Sequence, residues 1–264
     1  MKRLSFTIFA LIFATTISLF CQPRTGRFTM GYTENGTQHT FSCYVPENYD
    51  STKAYTFFYA WHGAGDTGWN MLNFVCYIIA VRIGAIVSSP DANTIQTNEQ
   101  LNTLISNSFG FIRSNYHIDT TKEIITGFSW GGRMAYQLGL SNPGVFDGII
   151  GIAPAIGQGQ VDQTMWNNIQ KIRMATLLGD QDFNFAAVNA LMLDIKNRGG
   201  NLLYKIKPGV QHVDNTYFNS QEFLNDYNEC YEYVLGLTDI ESQENTNELL
   251  ISINPNPASE NTTI

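Results

Sequence analysis

An α/β fold built on a mostly parallel sheet is the architecture this sequence predicts, and three observations predict it. From Tyr55 onward, short apolar runs alternate with segments of helical character. The runs are continuously apolar, as strands buried on both faces are. Loops bearing Gly, Asp and Asn follow the strands, at the sheet edge where open α/β folds place their sites. Before Tyr55 the texture differs: Gly26 to Asn48 alternates around Asn35-Gly36, a dipeptide suited to a tight hairpin turn, so the sheet should open with an antiparallel pair. The parallel strands are expected at Tyr55 to Ala60, Gly84 to Val87, Glu123 to Thr126, Gly148 to Ala153, Met174 to Leu178 and Leu202 to Ile206. Helices are expected at 70–82, 97–115, 130–141, 161–171, 185–198 and 219–235, on both faces of the sheet because parallel crossovers are right-handed.

With 264 residues, 44% of them hydrophobic and 14% charged, the chain can bury the core of one such domain over residues 22–237. The ends read differently. Lys2 and Arg3 precede an apolar run from Phe6 to Phe20, the charged start and short hydrophobic stretch of a signal peptide over residues 1–21. The run is too short, and too rich in Ser and Thr, for a membrane span. Phe20 before Cys21 does not suit a lipid anchor. Removing Lys2 and Arg3, two positive charges, takes the formal charge from -8 to -10, which argues against nucleic acid or anionic lipid as partners. Outside the cytoplasm, Cys43, Cys76 and Cys230 would be an odd set, leaving at least one unpaired or bonded between chains. No spacing of Cys and His suits a metal, and no cofactor motif stands out. Residues 238–264 form a separate tail, with five acidic residues from Asp239 to Glu260 and no Lys or Arg, which reads as a linker.

The strongest local signal is Gly127-Phe128-Ser129-Trp130-Gly131-Gly132, between an expected strand and an expected helix. A Gly-x-Ser-x-Gly turn in that context is a nucleophile elbow: the turn is so sharp that side chains two residues either side of the serine would collide with backbone. The helix it opens points its amide dipoles at the serine. A serine hydroxyl needs a base to take its proton, and that base needs an acid to hold its tautomer. The histidines are His39, His62, His117 and His212. Downstream of Ser129, the expected strand Met174 to Leu178 ends in Gly179-Asp180-Gln181-Asp182, where either Asp could serve as the acid. Asp162 and Asp147 are better read as helix-cap and strand-start residues. Acyl transfer also needs amide donors already aimed at the developing oxyanion, and Trp130 NH, next after the nucleophile, is one.

Taken together, these residues resemble the α/β-hydrolases, and within them the group of esterases and polyhydroxybutyrate depolymerase-like enzymes that includes feruloyl and acetylxylan esterases of carbohydrate esterase family one. The resemblance covers about residues 27 to 235 and rests on Tyr44-Val45-Pro46-Glu47-Asn48-Tyr49, His62-Gly63-Ala64-Gly65, Ser88-Pro90-Asp91, Gly127 to Gly132, Gly179 to Asp182 and His212. It implies the chain order serine, acid, histidine, which selects His212 as base, and a Gly-x-x-Asp spacing, which selects Asp182 as acid and leaves Asp180 to cap a loop. It also implies that Ala64 NH is the second oxyanion donor, with His62 packed beneath the loop. Two departures leave the substrate open: Ala64-Gly65 stands where many relatives have a longer Gly-Cys or Gly-Gly loop, and Val213-Asp214 where many have a tryptophan. The segments between strands are ordinary in length, so no cap domain is expected and the cleft should be open. Trp61 and Trp69, near the site loops, are candidates for contacting a feruloyl or sugar ring.

The activity these readings imply is that of a secreted serine carboxylic-ester hydrolase of feruloyl or acetylxylan type, taking an ester substrate such as one linked to polysaccharide. A polyhydroxyalkanoate depolymerase or a serine peptidase would use the same machinery. An inactive hydrolase fold kept as a carbohydrate-binding module is the alternative of another class. In the tail, Leu249 to Ala258, an apolar stretch running into Pro-Asn-Pro-Ala, resembles the opening of the type IX secretion sorting domain of Bacteroidetes, which implies secretion machinery as a partner.

Overall fold

The computed structural model describes residues 23–93 and 95–237. The expected signal peptide and the sorting-like tail lie outside the described residues. Eight strands form one sheet: β1 (Gly26–Glu34), β2 (Thr37–Val45), β3 (Tyr55–Trp61), β4 (Ile86–Pro90), β5 (Ile118–Phe128), β6 (Gly148–Ile152), β7 (Arg173–Gly179) and β8 (Leu202–Lys207). The spatial order is β1-β2-β4-β3-β5-β6-β7-β8. β1 and β2 pair antiparallel across the turn at Asn35 and Gly36, both at positive φ, and β2 is antiparallel to β4. All other neighbours are parallel, so the carboxyl ends of β3 to β8 meet along one edge.

The pleat sorts the core into two layers. On β3, Phe57, Tyr59 and Trp61 face one hydrophobic cluster, while Phe58 and Ala60 face the other, the period-two alternation of a strand covered on both sides. The first cluster takes Leu104 and Ile112 of α3 (Asn98–Asn115), Met134 of α4 (Trp130–Ser141) and Val188 and Leu191 of α6 (Phe185–Asn197). The second takes Leu72 of a π-helical turn (Met71–Cys76) that joins α1 (Gly68–Asn70) to α2 (Tyr77–Ile83), and Ile79 of α2. Phe223, Tyr227 and Val234 of α8 (Gln221–Leu235) complete it.

Several boundaries differ from expectation for local reasons. β4 runs through Ser88 and Ser89, polar residues that suggest a loop, because their hydroxyls donate to the carbonyls of Ser108 (3.0 Å) and Ala60 (2.8 Å) and so can be fully buried. The helix expected over 161–171 is only α5 (Gln163–Trp166), started by Asp162 accepting from Met165 NH; Asn168 then donates to Leu140 O instead of continuing the helix. The helix expected over 219–235 is split into α7 (Asn215–Phe218) and α8, because Asp214 and Ser220 each cap a separate start. Asp147 accepts from Glu123 NH at the start of β6, as its strand-start reading requires. Between β6 and β7 lie only α5 and one short 3₁₀ turn (Gln158–Gln160), with no inserted cap. Among the described residues no helix is long and apolar enough to cross a membrane, and no group of three or more His, Cys, Asp or Glu could hold a metal.

Cys43 on β2, Cys76 in the π-helical turn and Cys230 on α8 are each buried and free, which rules out a bond between chains through any of them in the folded state. Burial pushes all three thiols up to about 12, so none offers an appreciable thiolate near neutral pH. The expected outcome is that an aromatic disulfide reagent modifies none of the three in native protein and all three in denaturant, read by peptide mass. Rapid native labelling of any one would contradict this packing.

Candidate active site

The carboxyl edge of the sheet is organised by the turn from β5 into α4. Ser129, the residue between them, has φ 55° and ψ -118°, a strained backbone for any residue with a side chain. The neighbouring glycines make it possible. A Cβ on Gly127 would sit 2.2 Å from Gly131 O, and one on Gly131 only 2.0 Å from Trp61 O. The turn is pinned by Ser129 NH donating to Ile152 O (2.9 Å) and by Ser129 O accepting from Ala155 NH (2.9 Å) and Arg133 NH (3.1 Å). The Ser129 side chain makes no capping bond to α4, which leaves the hydroxyl facing the edge.

His212 lies in the loop after β8, and a second close approach places it there. A Cβ on Gly179 would come within 1.9 Å of Val210 O, so only glycine lets the end of β7 pack against this loop. Gln181 NH donates to Val210 O (3.1 Å), Asp180 NH to Lys207 O (3.0 Å), and the Asp180 carboxylate accepts from Gly209 NH (2.7 Å). Asp180 therefore fastens the loop. Lys207, where the loop begins, is held from below by Asp226 of α8 at 2.8 Å. Burial pushes the Asp226 carboxyl upward, but hydrogen bonds from Lys205, Lys207 and Tyr217 outweigh it and hold the group below its usual value.

The three side chains singled out from the sequence meet at this edge. His212 Nδ1 is 2.7 Å from Asp182 Oδ2, and His212 Nε2 is 2.8 Å from Ser129 Oγ. With Nδ1–H donating to the carboxylate, Nε2 is left to accept from the serine hydroxyl. Asp182 is itself oriented by Asn184 NH, which donates to its other oxygen at 2.7 Å. Both Asp182 and His212 are buried. The His212 ring contacts Phe128 (centroids 5.3 Å) and Phe183 (4.2 Å). Phe183, 78% exposed, puts an apolar ring against the imidazole, and Val213, next in sequence to His212, is 64% exposed. Phe183 is not singled out from sequence, and Val213 is noted there only as a departure from the tryptophan of many relatives; the available signal is an apolar side chain directly after each of the two triad candidates Asp182 and His212.

The loop after β3 crosses close to the serine: a Cβ on Gly63 would lie 3.0 Å from the Phe128 ring and 3.5 Å from Ser129 Cβ. Buried His62 sets its conformation. Ala92 NH donates to His62 Nε2 (3.0 Å), which makes Nδ1 the protonated nitrogen, and that donates to Gly63 O (2.7 Å). Gly63 O also accepts from Asp66 NH (3.1 Å). Since N–H and C=O of a trans peptide point in opposite directions, Ala64 NH is turned away from His62 and Asp66. Trp130, as the first residue of α4, has an amide with no intrahelical acceptor.

The two tryptophans offered for ring contacts do not form a wall here. Trp61 has 0% exposure and packs edge-on against Tyr59 and Trp130 within the core, so its ring cannot touch a substrate. Trp69 is exposed, but it faces a groove whose lining includes none of Ser129, Asp182 and His212.

The amino-acid sequence matches no protein-family model. Solved structures do match. A ferulic acid esterase is 15% identical, with a TM-score of 0.64 over 78% of this chain and 98% of its own. The fluorophosphonate-binding serine hydrolase F of Staphylococcus aureus is 11% identical, with a TM-score of 0.65 over 80% of this chain and 98% of its own. The feruloyl esterase module from Clostridium thermocellum, solved with sinapinate, is 16% identical, with a TM-score of 0.62 over 83% of this chain and 91% of its own. The sheet order, the single antiparallel edge and these likenesses agree: the chain has the α/β-hydrolase fold.

Proposed function

We propose that this chain is a serine carboxylic-ester hydrolase working through an acyl-enzyme, with Ser129 as nucleophile, His212 as general base and then acid, and Asp182 as the group that orients His212. The unbroken relay from Asp182 through His212 to Ser129, at 2.7 and 2.8 Å, carries the reading. Ser129 Oγ attacks the ester carbonyl as its proton passes to His212 Nε2. The carbonyl oxygen becomes an oxyanion, for which Ala64 NH and Trp130 NH are the donors. His212 then protonates the departing alcohol, and water repeats the sequence to release the acid.

Geometry also divides the substrate. The alcohol must leave beside His212, where exposed Phe183 offers apolar contact, and nothing between β6 and β7 roofs the edge. An unroofed site suits an ester carried on a polymer. Three of the matching proteins are described as ferulic acid or feruloyl esterases, which favours hydroxycinnamoyl or acetyl esters of plant polysaccharide as substrate. The charged and apolar start of the sequence supports export, and the Pro-Asn-Pro-Ala segment supports type IX sorting.

Purified protein is expected to hydrolyse short-chain p-nitrophenyl esters, methyl ferulate and acetylated xylan. Ser129→Ala should drop to the residual catalysis of the oxyanion donors, about 10³–10⁴ over water. Equal rates in wild type and Ser129→Ala would sink the proposal, and a clearing zone on polyhydroxybutyrate or cleavage of aminoacyl amides alone would move it to a different acyl substrate.

The two neighbouring aspartates separate by role. Asp182→Asn should cost up to about 10⁴ in turnover, because an amide favours the wrong His212 tautomer. Asp180→Asn retains an oxygen to accept from Gly209 NH and should cost less than about tenfold, the difference between a charged and a neutral hydrogen bond. The reverse ranking in steady-state kinetics would reassign the acid.

A further inference from the structure

The groove that Trp69 faces is on the flank of the sheet, between the start of β1 and the helical segment after β3, with a volume of about 670 Å³. That volume lies within the range of small-molecule sites. Its lining is unusual in composition. Trp69, Phe74, Tyr77 and Tyr44 supply aromatic surface, Arg27, Glu47 and two asparagines supply polar groups, Gly26 completes it, and no aliphatic side chain takes part.

The arrangement is built rather than incidental. Trp69 and Phe74 are 42% and 57% exposed, although large aromatic side chains normally find cover. Asn73 and Phe74 lie in the π-helical turn Met71–Cys76, between Trp69 and Tyr77. Trp69, Asn73 and Tyr77, spaced by four, share one face of this helical segment, and π turns are frequent at functional sites. The Arg27 guanidinium lies over the Tyr77 ring at 4.3 Å and donates to Asn73 Oδ1 at 2.6 Å, while Asn73 Nδ2 donates to Trp69 O at 2.7 Å. Arg27, Asn73 and the Tyr77 ring are therefore held in place before any ligand arrives.

We propose that this groove binds neutral polysaccharide, as a site separate from the catalytic serine. A pyranose ring has an apolar C–H face and a rim of hydroxyls. The first is covered by an exposed indole or phenyl ring, and the second is met by the carboxylate, guanidinium and phenol groups that line the groove. Aromatic side chains and Arg also serve protein interfaces, but this groove is a concavity of small-molecule volume, whereas a stable protein interface needs a face of about 800 Å² per partner. An anionic polymer would meet Glu47 and a chain of formal charge -8. Trp69 is five residues beyond Ala64, so at most about 18 Å of extended chain separates the groove from the loop beside Ser129. One polymer could thus be held at the groove while its ester reaches the serine. The inference goes beyond the catalytic reading, because binding can be measured without turnover.

The test uses full-length Ser129→Ala protein, with binding of xylohexaose, cellohexaose and maltohexaose followed by calorimetry and retardation followed in native gels containing arabinoxylan. At least one hexasaccharide is expected to bind, and Trp69→Ala and Phe74→Ala, each added to that background, should each weaken it by about tenfold or more, a loss of about 1.4 kcal/mol. Leu193→Ala, which removes an exposed side chain on α6, should leave it unchanged. Thermal melting of each variant separates lost binding from lost fold. No binding of any hexasaccharide or arabinoxylan, or equal binding by well-folded Trp69→Ala and Phe74→Ala proteins, would overturn the proposal. Binding of free ferulic acid in place of sugar would overturn it as well.

Discussion

Ser129 is held in a backbone conformation that a serine does not adopt unaided, and the carboxyl edge of the sheet is arranged around that constraint. Its φ of 55° turns the chain out of β5 and straight into α4, so the hydroxyl stands clear of both elements while the first amides of the helix lie beside it. The turn survives because its strain is offset on three sides: by the adjacent strand through Ile152 O, by α4 through its own carbonyl, and by contacts too close for any residue but glycine at 127 and 131.

Each partner of the serine is positioned by backbone as much as by side chain. Gly179 lets the β8 loop approach, Asp180 and Gln181 fasten it, and His212 is thereby delivered to Asp182 from the correct side. His62 plays the corresponding part for the loop after β3. By bridging Ala92 NH and Gly63 O, it fixes one peptide plane and with it the direction of Ala64 NH. A site assembled from the ends of four strands and from loops strapped to one another is preorganised before any substrate enters, as electrostatic stabilisation of an oxyanion requires.

What the sequence made legible follows from how tightly each feature is constrained. The elbow is readable because its steric demand can be met only by glycine, and the buried parallel strands because covering both faces leaves continuous apolar runs. Asp182 and His212 are identified by chain order and spacing within a resemblance, and the structure sets His212 between Asp182 and Ser129. Trp61 misled because an aromatic beside a site loop has the same letter whether it faces solvent or core, and the pleat of β3 turns it inward beside Tyr59. Ser88 and Ser89 hid the end of β4, since their hydrogen bonds to distant carbonyls leave no local trace. The π-helical turn and the groove beside it were invisible for a related reason: they depend on how Arg27 of β1 meets Asn73 and Tyr77, far away in sequence.

The central claim is that Ser129 is a nucleophile activated by His212, and covalent chemistry tests it most directly. Native protein treated with a fluorophosphonate probe should carry one adduct, mapped by peptide mass to Ser129. Labelling should be lost in Ser129→Ala, strongly slowed in His212→Ala and abolished by prior unfolding. Failure of folded wild-type protein to label, or labelling of His212→Ala at the wild-type rate, would contradict the account.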